Sequence, residues 1–205
     1  MTRRARHLLR DSRASSAAEF ALVLPLLLIF LFGIIDVGRL MWTWNRAEKA
    51  TQMGVRYAVV TDMVPTGLAN YSFATSGGIP QGDTIPLSAF GGASCTSTSC
   101  TCHSGATCPT LTPYNGTAFT KIVDRMRLFM PEIAASDVKV DYGYSGLGYA
   151  GDPNGSDVAP VVTVSLLPGS IQFQPITLIL FQTSFGLPSF GAALTLEDAK
   201  GSASN

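Results

Sequence analysis

The N-terminal part of the chain contains a long and nearly uninterrupted run of apolar residues. Between residues 17 and 35 the only charged side chain is Glu19. A helix rises ~1.5 Å per residue, so a helix over this run is about as long as the bilayer core is thick, roughly 30 Å. The pattern therefore predicts a transmembrane helix.

Helical spacing continues beyond the apolar run. No proline occurs in residues 37–58, and apolar or small residues recur there every three or four positions. Trp42 and Trp44 follow the apolar run directly, where interfacial aromatic residues occur in membrane proteins. The sequence thus predicts one long helix, membrane-buried first and amphipathic afterwards, that ends near residues 61–65.

Pro25 lies inside the membrane half of this helix. A proline removes one backbone donor and crowds the carbonyl four residues earlier, here that of Ala21. We therefore expect a kink at Pro25.

The rest of the chain changes from a loop-like composition to mixed helix and strand patterns. Residues 62–116 are rich in Gly, Ser, Thr and Pro and are predicted to be loop. A short helix is predicted over 117–130, and alternating apolar and polar positions predict strands over 138–144 and 158–167. Residues 192–196 supply a candidate third strand.

An apolar segment at 176–185 is too short to span a bilayer as a helix. We expect it to be a buried helix, or an edge that meets the membrane or a partner. The predicted fold is α+β: a long N-terminal transmembrane helix with an amphipathic extension, then a small exported head with a short antiparallel sheet. The predicted segments are a basic leader (1–14), the helix (15–61), the loop (62–116) and the head (117–205).

Basic charge is concentrated before the apolar run. The five arginines that precede residue 14 are Arg3, Arg4, Arg6, Arg10 and Arg13. Arginine-rich flanks stay cytoplasmic, which predicts a cytoplasmic N-terminus and export of the rest. The alternative, an arginine tail that binds nucleic acid, is disfavoured because the arginines adjoin a membrane span and the net charge is zero. A cleaved secretory signal is disfavoured because the apolar run exceeds ~15 residues and no small-x-small site follows it.

Four cysteines cluster in the predicted loop: Cys95, Cys100, Cys102 and Cys108. In an exported domain they are expected to form disulfides, with three possible pairings. A metal site with His103 is the alternative, but the spacing C-x4-C-x-C-H-x4-C lacks the paired C-x2-C of zinc sites. No metal is therefore expected.

Candidate catalytic groups are few. The two histidines are His7, in the basic leader, and His103, in the cysteine loop, and no G-x-S-x-G or phosphate-binding motif is present. An enzyme would need His103 or the acids Asp137, Asp141 and Asp157, which we interpret as solvent-facing. The sequence predicts neither an enzyme nor a cofactor.

Glu19 is a costly residue at the start of an apolar helix, because carboxylates at membrane depth are unfavourable and usually functional. The alternative is an acid favoured by the helix dipole at the headgroup level. The surrounding stretch Ala14-Ser-Ser-Ala-Ala-Glu19-Phe20-Ala-Leu-Val-Leu-Pro25 resembles the start of TadE-like pseudopilins from tight-adherence (Flp-type) pilus systems. The resemblance continues at Asn45, Ala50, Gly54, Arg56, Tyr57 and Ala58.

The resemblance implies processing by a prepilin peptidase between Ala14 and Ser15, although Ala14 stands where the family favours Gly. Ser15 would then be the new N-terminus, and Glu19 would pair with its amine. The implied partners are the lipid bilayer, prepilin peptidase, other pilin-like helices and pilus assembly platform proteins. The implied location is the bacterial inner membrane, single-pass, with an exported C-terminal domain.

These features predict a structural component of pilus biogenesis or the related secretion machinery. The alternative is a generic signal-anchored envelope binding domain, in which the membrane helix is a passive tether.

Overall fold

The first described element is a single long helix. The computed structural model describes residues 12–178, 183–197 and 200–201, and only the backbone of residues 12–15. Helix α1 is Ser12–Ala58 and continues through Pro25. It ends at Ala58, slightly before the predicted end, where the Thr61 hydroxyl donates to the Tyr57 carbonyl of the last turn at 2.8 Å. The predicted long helix is confirmed.

The chain forms two compact units. One contains the described residues up to Thr43 together with Phe173–Phe185, and the other contains Trp44–Gln172 and the chain from Gly186 onward. The boundary falls within α1. We call them the helix unit and the head unit and describe each by itself.

The head unit is built on an antiparallel sheet. Its strands are β1 (Gly92–Cys95), β2 (Cys100–Cys102), β3 (Val138–Gly143), β4 (Val161–Leu166) and β7 (Phe190–Thr195). Within the described residues these five form one sheet in the order β2-β1-β3-β4-β7. Two more strands of two residues each, β5 (Gln172–Phe173) and β6 (Phe185–Gly186), pair with each other. The α+β fold class predicted from the sequence is thereby confirmed.

Alternation along β3 and β4 sets the buried face of the sheet. Every second residue of both strands is buried, and Val140 is directly opposite Val164. Helix α2 (Thr66–Ala69) is a single turn, and a longer helix, α3 (Gly116–Arg127), buries a face that includes Phe119 and Ile122. Asn115 caps α3 by accepting from the Ala118 amide at 3.0 Å. A short 3-10 turn, Ala135–Asp137, leads into β3.

Gly54 is the point where α1, α3 and β4 approach one another inside the head unit. A Cβ at this position would lie 2.8 Å from Met126 Cγ and 3.2 Å from Val164 Cγ1. Only a residue without a side chain fits that gap unless its neighbours move. Gly54 therefore allows the C-terminal part of α1 to form part of the head unit's core.

Tyr142 supplies a polar group to the centre of that core. Its ring is fully buried, and its hydroxyl oxygen accepts from the Val64 amide at 3.0 Å. Burial raises the pKa of Tyr142 well above its usual range. The phenol therefore stays neutral and satisfies a backbone donor that would otherwise be buried without a partner.

The prediction of loop over 62–116 is wrong in three places, because the one-turn helix α2 and the strands β1 and β2 lie within it. The sequence of β1, Gly-Ala-Ser-Cys, has low strand propensity. It forms a strand because it pairs on both sides, with β2 and with β3. Tertiary pairing outweighs local composition here.

The other predicted elements are present with shifted ends. The helix predicted over 117–130 is α3, and the predicted strands correspond to β3, β4 and β7. For the segment predicted over 176–185, the described residues do not form the buried helix: residues 176–178 form a turn and Phe185 begins β6. The other alternative, an edge that meets the membrane or a partner, stays a prediction. Residues 179–182 lie outside the described residues.

Asp157 is not solvent-facing, which corrects the sequence-based interpretation. It is 5% exposed, and its carboxylate accepts from the amides of Phe73, Gly151 and Asp152 at 2.7, 2.9 and 3.1 Å. Sequence reasoning missed this role because all three donors are backbone amides, two in the same turn and the third in a distant loop. The hydrogen bonds of Asp157 thus connect the turn at 150–157 to the segment around Phe73.

Replacing Asp157 with alanine is expected to destabilise the head unit by about 3 kcal/mol, since it leaves three backbone donors without their acceptor. Urea unfolding of the full chain in detergent, followed by tryptophan fluorescence, measures the change. The matched control is Asp152→Ala in the same turn, which removes an exposed bond to the Asn154 amide and a side-chain hydrogen bond with Tyr149 but no buried bond. Equal losses for the two variants would show that Asp157 does not fasten this turn.

Candidate functional site in the N-terminal helix

The apolar run of α1 has little protein cover. Among the described residues, α1 is the one helix long and apolar enough to cross a membrane, by length and composition. Its apolar side chains point outward: Leu22 is 80% exposed, and Leu26 and Phe30 are each 71% exposed. A helix that is apolar all round requires an apolar surrounding.

Glu19 and Phe20 are both exposed on this helix. Helix α1 begins at Ser12, so Glu19 lies beyond the first turn, which contains no acid. The helix dipole acts mainly within the first turn and therefore accounts poorly for a carboxylate here. Within the described part of α1, the dipole of the helix therefore contributes little at Glu19, whose side chain is exposed.

Ala14 and Ser15, at the predicted processing site, are helical in their backbone, and their side chains lie outside the described residues. Residues 1–11 of the predicted leader, including His7, also lie outside the described residues. Ser15 and Glu19 are four residues apart in α1 and so share one face of the helix. Pro25 is one and a half turns further on and does not interrupt the helix.

Asp36 is a functional candidate that sequence reasoning missed. It directly follows the apolar run, is 7% exposed, and accepts from the amides of Ile176 and Thr177 at 2.7 and 2.9 Å and from the Thr177 hydroxyl at 2.8 Å. The signal that could have found it is an acid at the end of an apolar run, where an unpaired carboxylate is costly. Its partners are about 140 residues away along the chain, beyond the reach of any local pattern.

Arg39 completes this contact one turn along the helix. Its Nη1 donates to Asp36 Oδ1 and to the Gln174 carbonyl, each at 3.2 Å. The guanidinium also lies 5.4 Å from the centre of the Phe173 ring. We call Asp36, Arg39 and residues 173–178 the clamp. All of it lies within the helix unit.

The cysteines form two disulfides, in agreement with the expected oxidation. Cys95 is bonded to Cys100, and Cys102 to Cys108, which selects one of the three possible pairings. The first bond joins β1 to β2 across the hairpin. The second closes the segment that contains His103.

His103 lies beside one of the acids that an enzyme would need. Its Nε2 is 3.4 Å from Asp141 Oδ1, and the Lys139 ammonium is 2.9 Å from the other oxygen of the same carboxylate. The imidazole is about one-third exposed and packs over Gly92, where a Cβ would lie 2.5 Å from Nδ1. Among the residues that the structure describes, no group of three or more His, Cys, Asp and Glu is arranged to hold a metal ion.

The fold and site define a class: a protein with a candidate single-pass membrane anchor and a small disulfide-bonded α+β head. Residues 14–56 match the family model described as TadE-like protein. The match begins at Ala14, contains Glu19, Phe20 and Pro25, and confirms the resemblance indicated by the sequence. No curated protein and no solved structure gives a significant match to the chain.

Peptide mapping of the non-reduced protein tests the pairing. We expect one linked species that joins Cys95 to Cys100 and another that joins Cys102 to Cys108, because these thiols lie together in the hairpin and its following loop. The same digest after reduction is the control. A Cys100 peptide linked to Cys102 or Cys108 would contradict the pairing.

Proposed function

We propose that this chain is a TadE-like pseudopilin, a structural membrane-anchored component of tight-adherence (Flp-type) pilus biogenesis or the related secretion machinery. One observation carries the proposal. The segment that matches the TadE-like model places the exposed acid Glu19 near the start of a helix whose apolar side chains lack protein cover.

The cost of leaving this helix in water supports a membrane location. Thirteen large apolar side chains between Phe20 and Ile35 are exposed. At ~1.5–3 kcal/mol for each fully buried side chain, their partial exposure costs roughly 10–20 kcal/mol. This is about the whole stability of a typical domain, 5–15 kcal/mol. Lipid or neighbouring apolar helices remove the cost.

In this proposal the helix is a permanent anchor, since α1 continues without a break from the apolar run into residues that are buried in the head unit. Ala47, Ala50 and Val55 are almost completely buried within the head unit. Cleavage after the apolar run would leave those residues attached but would release the head from the membrane. A permanent anchor that continues into a folded domain accounts for both halves of α1.

Orientation follows from charge and oxidation state. The N-terminal arginines favour a cytoplasmic N-terminus, and the two disulfides favour a head in an oxidising compartment. Both observations support a head on the outer side of the bacterial inner membrane. The role is structural rather than enzymatic.

Glu19 acts in assembly in this proposal. Once a prepilin peptidase has cut between Ala14 and Ser15, the new α-amino group is largely protonated at neutral pH. A carboxylate and an amine on one helical face then attract each other, within one chain or between neighbours. A pair formed between neighbouring pilin-like helices would fix how far one helix is shifted along the other, and pilus assembly platform proteins would receive the packed helices.

Glu19→Ala is expected to leave the protein in the membrane but to abolish its co-purification with other pilus components. The apolar run that holds the anchor is unchanged, while the charge that pairs with a neighbour is lost. Detergent extraction followed by affinity co-purification measures both properties. The control is Glu48→Ala, an acid of the same helix beyond the apolar run, whose carboxylate accepts only an exposed bond from Trp44 Nε1 among the bonds described here.

Unchanged co-purification of the Glu19→Ala protein would overturn the assembly role. It would favour the alternative of an envelope binding domain on a passive tether, for which the identity of residue 19 is immaterial. Equal loss in the Glu48→Ala protein would point to general damage to α1.

Mass spectrometry of the protein from the native membrane tests processing. We expect the mature chain to begin at Ser15, because the small side chain of Ala14 fits a protease site that favours glycine. Deletion of the prepilin peptidase is the control and should restore the Met1 or Thr2 start. A Met1 or Thr2 start in the normal host would contradict processing and leave the anchor unaffected.

A further inference from the structure

The clamp holds a short, uncharged piece of chain against the end of the apolar run. Residues 173–178, Phe-Gln-Pro-Ile-Thr-Leu, contain no ionisable side chain. They belong to the same compact unit as the apolar part of α1. Their attachment point, Asp36, is the first residue after that run.

The direction of the Asp36 side chain determines the position of residues 173–178 along the axis of α1. In a helix the Cα–Cβ bond tilts toward the N-terminus, so a side chain covers the turn before its own Cα. The groups bound to Asp36 therefore lie near the last turn of the apolar run. Gly33, in that turn, is only partly exposed, whereas Ile34 and Ile35 are exposed.

The hydrogen bonds to Asp36 satisfy backbone amides of residues 173–178, which would otherwise be costly to bury at the membrane. Backbone amides without partners are very unfavourable in lipid. The carboxylate of Asp36 accepts from two consecutive amides and from the Thr177 hydroxyl. In turn, those donors and Arg39 compensate a carboxylate that would otherwise be unpaired beside the acyl chains.

The side chains of the segment divide into a buried and an exposed set. Phe173 and Pro175 are buried, and the Phe173 ring centre lies 5.4 Å from that of Phe185. Ile176 and Leu178 are exposed, at 36% and 38%. The Arg39 side chain is 47% exposed one turn beyond Asp36, where a long cationic side chain reaches lipid phosphates.

We propose that the clamp inserts residues 173–178 into the lipid interface at the C-terminal end of the apolar run, with Ile176 and Leu178 against the acyl chains. The partner of this surface is the bilayer. The inference rests on the proposed membrane anchor and adds a second contact of the chain with lipid. The helix unit then contacts lipid through two parts of the sequence, the apolar run of α1 and the clamp segment.

Spin labelling of the full chain tests the proposal. A nitroxide is attached to Leu178→Cys in liposomes of phosphatidylethanolamine and phosphatidylglycerol, and its accessibility to oxygen and to a water-soluble nickel chelate is measured. The four native cysteines are in disulfides and do not react with the label. The references are Ile29→Cys, 64% exposed within the apolar run, and Leu128→Cys, 69% exposed in the head unit.

We expect the ratio of oxygen to nickel accessibility at position 178 to resemble that at 29 and to exceed that at 128 several-fold. A water-like value at 178 with a lipid-like value at 29 would overturn the insertion and leave the anchor intact. Protection of 178 from both reagents would also overturn it and would indicate a protein partner. Water-like values at both 29 and 178 would overturn the membrane anchor itself.

A second variant tests the role of the clamp. Asp36→Ala in the Leu178→Cys background should lower the oxygen-to-nickel ratio several-fold, because the freed amides of Ile176 and Thr177 favour water. Asp36→Asn, which keeps one acceptor oxygen, should give an intermediate value. The control is Asp62→Ala, which removes a bond to the Gly201 amide in the head unit. An unchanged ratio in the Asp36→Ala protein would overturn the clamp as the cause of insertion.

Discussion

The uncovered apolar surface of α1 is the constraint on which the rest of the structure depends. Over residues 16–35 the backbone is helical throughout, with one donor missing at Pro25, and nearly all side chains are exposed. Such a surface is compatible with lipid or with other apolar helices and is incompatible with water. Every acid near this run then requires an explanation, and the described residues contain two of them, Glu19 and Asp36. The two carboxylates have different surroundings: Asp36 accepts hydrogen bonds within its own unit, whereas Glu19 is exposed.

This contrast separates two kinds of acid on one helix. The paired carboxylate of Asp36 binds the backbone of residues 176 and 177, so its removal is expected to release that segment from α1. An exposed acid without such a network, such as Glu19, is available for contact with another molecule. The match of residues 14–56 to the TadE-like model covers both acids. Only Asp36 is hydrogen-bonded to a distant segment of the chain among the described residues.

The sequence predicted the elements whose periodicity is local and missed the contacts made across long distances. The helix α1, the alternation in β3 and β4 and the apolar face of α3 all follow from spacing within a few residues. The strand β1 was missed because its Gly-Ala-Ser-Cys sequence becomes a strand only through pairing on both sides. Asp157 and Asp36 were missed as organising residues because each binds backbone donors, and backbone groups leave no trace in composition. The cysteine pairing was open for a related reason: spacing permitted three solutions, and the hairpin geometry selects one.

The close approach at Gly54 has a consequence for how the chain is made. The residues nearest to it, Met126 and Val164, lie about 70 and 110 residues further along, so this part of the core has high contact order. A ribosome delivers α1 first and β4 much later. During that interval the face of α1 that packs against β4 lacks this partner, and it becomes covered only after β4 has left the ribosome.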